Sequence, residues 1–195
     1  MRIRMARPAD VPAMLAVYRP FVEETAVTFE YETPSPAAFL ARLEAVSARG
    51  PWLVLEDGGA AAGYAYLDRA FARAAYAWAA DLSIYLAPRA RGRGAGRALY
   101  TLLERMAARQ GYRVLYGLVT SGNAASRRFH EALGYRIAAL LPDCGYKLGR
   151  WHGVCWYEKR LGPAGDPGPM PAPAAEADWS GLDLSGLENF EIELQ

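Results

Sequence analysis

The chain has 195 residues, 52% of them hydrophobic, and a formal net charge of +1, so it can bury one core with some length to spare. It has no run of 18 or more strongly apolar residues, and its start, MRIRMARPADVP, alternates charge with small apolar groups where a signal peptide needs an apolar core. Its two cysteines, Cys144 and Cys155, lack the number and spacing of a disulfide framework or a zinc site, so the composition points to a cytoplasmic protein with reduced thiols, no metal centre and no membrane span.

In chain order, IRMA reads as a first strand, after which Asp10 is placed to cap a helix with the apolar stripe Val11, Met14, Leu15 and Tyr18. Ser35 and Pro36, a cap and a first-turn proline, open a second helix carrying Phe39, Leu40, Leu43 and Val46. WLVLE and AAGYAYLD, joined by the turn DGG, predict a hairpin, and the segment from about Tyr76 to Leu86 predicts the next strand. RARGRGAGRALY, residues 89–100, then runs into a helix with Leu99, Leu102, Leu103 and Met106. RVLYGLV predicts another strand, NAASRRFHEAL a helix, and YRIAALL and HGVCWYEKRL two last strands. The succession is α/β: a mixed sheet with helices on both faces.

Charge is unevenly spread. All 22 Lys and Arg precede residue 161 with 14 of the 21 acidic residues, a formal +8, whereas the last 35 residues hold seven acids and no base. Composition changes at the same place, where GPAGDPGPMPAPAAEA has the character of an extended linker. We expect a folded body over 1–161, a linker over 162–177 and an acidic amphipathic tail over 178–195. Trp179, Leu182, Leu184, Leu187, Phe190, Ile192 and Leu194 among acids suit a segment that is disordered alone, or that orders on the basic body, a neighbouring subunit or a protein partner. Such a tail would repel a phosphate backbone, against nucleic-acid binding.

The stretch at 89–100 carries the chemistry. A strand that passes through Gly92, Gly94 and Gly96 into a helix leaves backbone N–H groups converging at the positive end of the helix, a site for phosphate. Arg89, Arg91, Arg93 and Arg97 add charge-assisted donors. A Walker loop would need lysine, and a dinucleotide fingerprint would need glycine where Arg97 stands. A flexible glycine turn on a basic surface is the plain alternative.

Arg91, Gly94 and Gly96 form the pattern Arg-x-x-Gly-x-Gly, which resembles the acyl-CoA pyrophosphate loop of the GNAT acetyltransferases, and NAASRRFHEALGY resembles the segment of that superfamily that lines the pantetheine arm. The likeness covers residues 2–161. TFEYET, PWLVLEDG, ARAAYAWAADLSIYL, FHEALGY and GYKLGRWHGVCWYEKRL look like the phosphinothricin and methionine-sulfoximine acetyltransferase branch, with GYK-x-G-x-W as a tag of lineage that has no evident chemical task.

The resemblance implies a GNAT fold with a mostly antiparallel sheet, acetyl-CoA as cofactor, direct transfer to a small-molecule amine, and a homodimer. It places Asp81, in WAAD, where the branch has glutamate in Trp-x-x-Glu; a base is needed because an α-amine is protonated at neutral pH. The shorter side chain implies a bridging water or a shifted substrate, and a solvated strand carboxylate is the alternative. His130, seven residues after Asn123, is implied as proton donor to the departing thiolate, or is a packed helix histidine. Asn123 caps its helix, contacts pantetheine or does both, with Ser126 beside it. The implied cofactor contacts are Leu82, Ser83 and Ile84, whose backbone would serve the oxyanion, and Arg89, Arg91, Gly92, Arg93, Gly94, Ala95, Gly96 and Arg97. Arg73 is implied for a substrate carboxylate, and Phe29 and Tyr76 either wall the pocket or belong to the core. An enzyme of this fold acting on a peptide N-terminus, polyamine or aminosugar, and a CoA-binding regulator without catalysis, remain alternatives; Arg69 and Arg73 favour an acidic acceptor.

Overall fold

The computed structural model describes residues 1–163 and 165–194; Ala164 of the expected linker and Gln195 of the expected tail lie outside the described residues. Eight strands form one sheet: β1 (Arg2–Met5), β2 (Trp52–Asp57), β3 (Ala60–Arg69), β4 (Ala79–Leu86), β5 (Val114–Thr120), β6 (Arg136–Lys147), β7 (Arg150–Arg160) and β8 (Glu191–Glu193). Their order is β6-β7-β5-β4-β3-β2-β1-β8, antiparallel throughout except for the parallel pairs β4–β5 and β1–β8.

Period-two alternation sends side chains to two cores. Helices α1 (Val11–Glu24) and α2 (Pro36–Ser47) cover one face, packing Met14, Tyr18, Phe39 and Leu43 against Trp52, Val54 and Tyr64. Helix α3 (Ala95–Gln110) lies on the other, burying Leu99, Leu102, Leu103 and Met106 against Leu53, Leu55, Leu67 and Leu115; α4 (Ala124–Ala132) contributes Phe129 to the same side. Ser35 caps α2 as expected, accepting from the Ala38 N–H at 3.2 Å.

Two local expectations are corrected. Asp10 does not cap α1 with its side chain; its carboxylate pairs with Arg4 through two bonds of 2.7 Å and accepts from the Arg7 N–H at 2.8 Å, because a nearly buried guanidinium is the stronger claimant. The strand expected from Tyr76 begins at Ala79, since residues 74–76 close a short 3₁₀ turn that lays the Tyr76 ring on Phe71, centroids 4.7 Å apart.

Beyond residue 161 the chain runs back along α3. Arg113 donates to the Pro167 carbonyl, Trp78 to Pro169 and Gln110 to Ala172. Arg109 and Arg105 then meet Asp178 and Asp183, and Leu187 is buried at 2% exposure beneath the segment. β8 finally adds beside β1, where Arg2 and Arg7 both pair with Glu193. Arg105 lies ten residues into α3 from Ala95, so this path runs roughly 15 Å along the helix from the glycine loop.

Truncation after Gly162 should therefore destabilise the body without touching the glycine loop. Loss of Leu187 burial alone corresponds to about 2 kcal/mol, and with the other contacts the melting temperature should fall by at least about 5 °C. A calorimetric scan showing an unchanged transition would mean that residues 163–194 add nothing to folding.

Candidate active site

The two central strands part company inside the sheet. β4 and β5 are in register only at Ala79↔Val114, Ala80↔Leu115 and Asp81↔Tyr116, while β4 stays paired with β3 as far as Leu86 and β5 with β7 as far as Thr120. Odd-numbered residues of β4 aim their backbone groups at β3, as the bonds from Ala70 N–H to Ala79 O and from Ala87 N–H to Ala62 O show at its two ends. The even-numbered residues point toward β5, so from the Leu82 carbonyl through Ile84 they face a gap. Ser83 sits between them with its backbone turned to β3. The gap opens a narrow cleft of about 70 Å³ lined by Asp81, Ile84, Tyr100, Leu118, Asn123 and His130, among others.

Asp81 stands at the last paired position, on the face that carries Tyr116. Its Oδ1 is buried without a hydrogen-bond partner, and burial, with a smaller push from Asp68, raises the carboxyl to about 7. Asp68 is directly opposite on β3 but is itself held by Arg49, whose Nε and Nη2 lie 3.0 and 2.8 Å from one carboxylate oxygen. One acid of the pair is neutralised, and the other is left poised between its two forms near neutrality, as a general base requires.

The opposite face holds a polar chain. His130 is 2% exposed and wedged between the rings of Tyr100, Phe129, Tyr135 and Tyr157. Its Nδ1 lies 2.8 Å from the Ser126 carbonyl, an acceptor only, so the hydrogen sits on Nδ1 and Nε2 is left to accept from the Tyr100 hydroxyl at 3.2 Å. Burial lowers the imidazole pKa, which the Ser126 carbonyl partly opposes. The Tyr100 hydroxyl has a second acceptor, the Leu82 carbonyl at 3.1 Å. Gly117 is glycine because a Cβ there would sit 2.5 Å from the His130 ring. Asn123 caps α4 through the Ser126 N–H at 3.1 Å.

At the mouth, Gly94 is the left-handed N-cap of α3, φ 79°, and Gly92 is left-handed too, φ 71°. The first bond of the helix is Ala98 N–H to Gly94 O, so the amides of Ala95, Gly96 and Arg97 have no partner within the helix. Gly96 serves packing, since a Cβ there would meet the Phe129 ring at 3.3 Å. The arginines divide. Arg89 and Arg91 donate to the Ala61 and Leu86 carbonyls and hold the loop, Arg93 pairs with Asp57, and Arg97 has only a 3.5 Å approach to the Ala132 carbonyl. An anion at this end of α3 would meet bare amides and Arg97, with the other three guanidiniums already engaged. These features fit a pyrophosphate and an extended arm laid in the gap.

On the Asp81 face, Phe71 from the β3–β4 connection stacks on Trp156 and meets Tyr116 edge-on, both at 5.7 Å. Arg73, two residues further on, and Tyr76 are exposed, and neither is among the residues that line the cleft. Phe29 turns its ring to Gly145 and His152, and Val27 is the residue of its loop that lines the cleft. Tyr100 and Val27 line the cleft and were missed by sequence reasoning, whereas Phe71, Tyr116 and Trp156 form an aromatic cluster on the Asp81 face outside the cleft lining. Only Tyr100 left a signal, as a polar end on an otherwise apolar helix stripe.

The Acetyltransferase (GNAT) domain family profile matches residues 3–156. The chain is 35% identical to a phosphinothricin N-acetyltransferase of Streptomyces viridochromogenes over 159 residues, covering 82% of this chain and 87% of the relative. It is 34% identical to an L-methionine sulfoximine/L-methionine sulfone acetyltransferase of Salmonella typhimurium, covering 83% and 95%. The crystal structure of a GNAT superfamily phosphinothricin acetyltransferase from Sinorhizobium meliloti in complex with AcCoA superposes with a TM-score of 0.80 at 31% identity, over 92% of this chain and 96% of that one.

The Asp81 carboxyl makes a prediction independent of any substrate. With its folded pKa near 7, above the ordinary 3.8, it contributes stability when protonated, and this is lost as pH rises through 7. Asp81→Asn should therefore melt higher than the parent at pH 8, by about 1–3 kcal/mol or several degrees, and the difference should shrink as pH falls below 7 and vanish only near the ordinary carboxyl value of 3.8. Equal melting temperatures across that range would mean that Asp81 is well solvated.

Proposed function

The chain belongs to the GNAT acetyltransferase family and is an acetyl-CoA-dependent N-acetyltransferase, and from that premise we propose that its acceptor is the α-amine of a small amino acid or amino-acid analogue. The observation that carries this reading is the meeting of two features at one residue. Asp81, unpartnered and raised to about 7, ends the β4–β5 ladder where the gap begins.

Acetyl-CoA, when bound, supplies an activated thioester. The amides of Ala95, Gly96 and Arg97, with the Arg97 side chain, would hold its diphosphate, and the gap-facing groups of Leu82 and Ile84 its pantetheine arm. The Ile84 N–H stands to stabilise negative charge on the acetyl oxygen. Asp81 withdraws the ammonium proton of the acceptor, directly or through one water, since aspartate is a methylene shorter than the branch's glutamate. His130 acts through Tyr100: its own hydrogen is committed to Ser126, and the single hydroxyl hydrogen of Tyr100, shared between Nε2 and the Leu82 carbonyl, turns from them to donate to a leaving sulfur. The exposed Arg73 on the β3–β4 connection supports an acceptor with a carboxylate, and the Phe71, Tyr116 and Trp156 cluster on the Asp81 face supports one with an apolar body.

Self-association is supported by β6, a free edge strand exposed from Arg136 to Cys144 that presents Ile137, Leu140 and Leu141, and we take the working form to be a homodimer. Free Cys144 and Cys155 suit the cytoplasm.

A panel of amines with thiol release as readout tests the acceptor class: amino acids bearing a free α-amine and carboxylate should turn over, and decarboxylated analogues should not. Asp81→Asn should lower kcat/KM by roughly 10²–10⁴ and remove the acidic limb of the pH profile, which should bend near pH 7. An unaltered limb would take the base role from Asp81. Gly94→Ala, strained at φ 79°, should weaken acetyl-CoA binding by about tenfold or more while leaving the acceptor KM within about twofold. Unchanged acetyl-CoA affinity would move the diphosphate away from this loop.

A further inference from the structure

Residues 25–35, between α1 and α2, form no helix or strand, yet they carry Val27 into the cleft beside Asp81. The β6–β7 hairpin fixes them in place. Lys147, 3% exposed, donates from Nζ to the Thr28 carbonyl at 2.8 Å. The Tyr31 hydroxyl donates to the Tyr146 carbonyl. The Phe29 ring fills the space beside Gly145, where a Cβ would lie 2.2 Å from the nearest ring atom. His152, also buried, sits with Nε2 3.0 Å from the Lys147 carbonyl, and its ring is 6.3 Å from that of Phe29. The turn is made by Leu148 and Gly149, both left-handed at φ 51° and 77°, which sets Lys147 opposite Arg150.

Stability alone does not explain such a lysine. A buried ammonium has three donors to satisfy, and Lys147 has one hydrogen-bond partner here, the Thr28 carbonyl; Glu30, the nearby acid, is paired with Arg42 at 2.6 Å. An apolar side chain of equal length would fold as well or better, because uncompensated burial of charge costs free energy. What the ammonium adds is direction: it fixes one carbonyl of an otherwise irregular loop, one residue from the cleft wall.

We infer that the hairpin Gly145–His152, the GYK-x-G-x-W segment, is a latch for the α1–α2 loop, and that Lys147 is a positioning residue that sets where Val27 stands relative to Asp81 and so shapes the acceptor pocket. This rests on reading the cleft as the acetyl-transfer site. Lys147 touches no reacting atom; it acts through Thr28.

The test uses the full chain with Lys147→Met, Lys147→Arg and the milder Tyr31→Phe, reading steady-state kinetics for both substrates and amide hydrogen exchange by peptide. Lys147→Met should raise the acceptor KM by about tenfold or more, the worth of one hydrogen bond to a charged group, and speed exchange over residues 26–31 by a similar factor. Acetyl-CoA affinity and exchange in β4 and β5 should not move. Lys147→Arg should recover part of both effects, and Tyr31→Phe should shift both the same way by less. Wild-type acceptor KM and wild-type loop exchange in Lys147→Met would overturn the latch. Faster exchange throughout the body with weakened acetyl-CoA binding would also overturn it, by making Lys147 a general stability residue. Should the parent chain bind acetyl-CoA yet transfer nothing, the transfer reading falls, and the exchange arm alone still decides whether the loop is latched.

Discussion

A ladder of hydrogen bonds that stops is the constraint on which everything else hangs. β4 and β5 agree over three residue pairs and then diverge, each held to its outer neighbour by an antiparallel ladder that continues. Backbone groups inside a sheet are normally all paired, so an interior gap is costly unless something fills it. The polypeptide fills part of it with the Tyr100 hydroxyl on the Leu82 carbonyl. The rest suits an extended, amide-bearing ligand that adds as if it were another strand.

The gap also explains how one sheet serves two ligands. On the α3 and α4 side lie the bare helix terminus, Asn123, and the buried pair of His130 and Tyr100. On the other side lie Asp81, Tyr116 and Trp156 under loops that leave them partly open. A reaction between a thioester and an amine needs its two substrates to approach from different directions and meet once. Asp81 would stand at that meeting point, because it is the last residue before the strands part. Its raised pKa follows from the same place, through burial at the throat of the gap and the Asp68 carboxylate opposite it on β3.

What could be read in the sequence was local. Glycines at 92 and 94 announce left-handed backbone ahead of a helix, and that is where they are. The position of Asp81 followed from the WAAD context, and Ser35 announced its helix through the N-cap bond it makes. What escaped depends on partners far away in the chain. Asp10 looks like a cap until Arg4 is brought against it. Tyr76 to Trp78 look like strand until the Tyr76 ring finds Phe71. The strand read at YRIAALL runs on to Lys147 as β6, through a register shift between Leu141 and Gly145 with Asp143 at φ 44°. Phe71, Tyr116 and Trp156 share a surface only because β5 pairs in parallel with β4 and antiparallel with β7. The lysine of the hairpin carries no mark of its task, because the task belongs to Thr28, more than a hundred residues earlier.

The two margins of the sheet are unlike. One is β6, twelve residues long and apolar; the other is β8, three residues long with acids at both ends, laid over β1. Strand margins invite copies of the same chain to zip together, and a molecule with two inviting margins would grow into a filament. With one margin blunted by Glu191 and Glu193, edge-on growth would be left a single direction, along β6, and a twofold contact there would use it up. The acidic β8 is thus placed to act as a terminator on that side, where a further strand would meet Glu191 and Glu193.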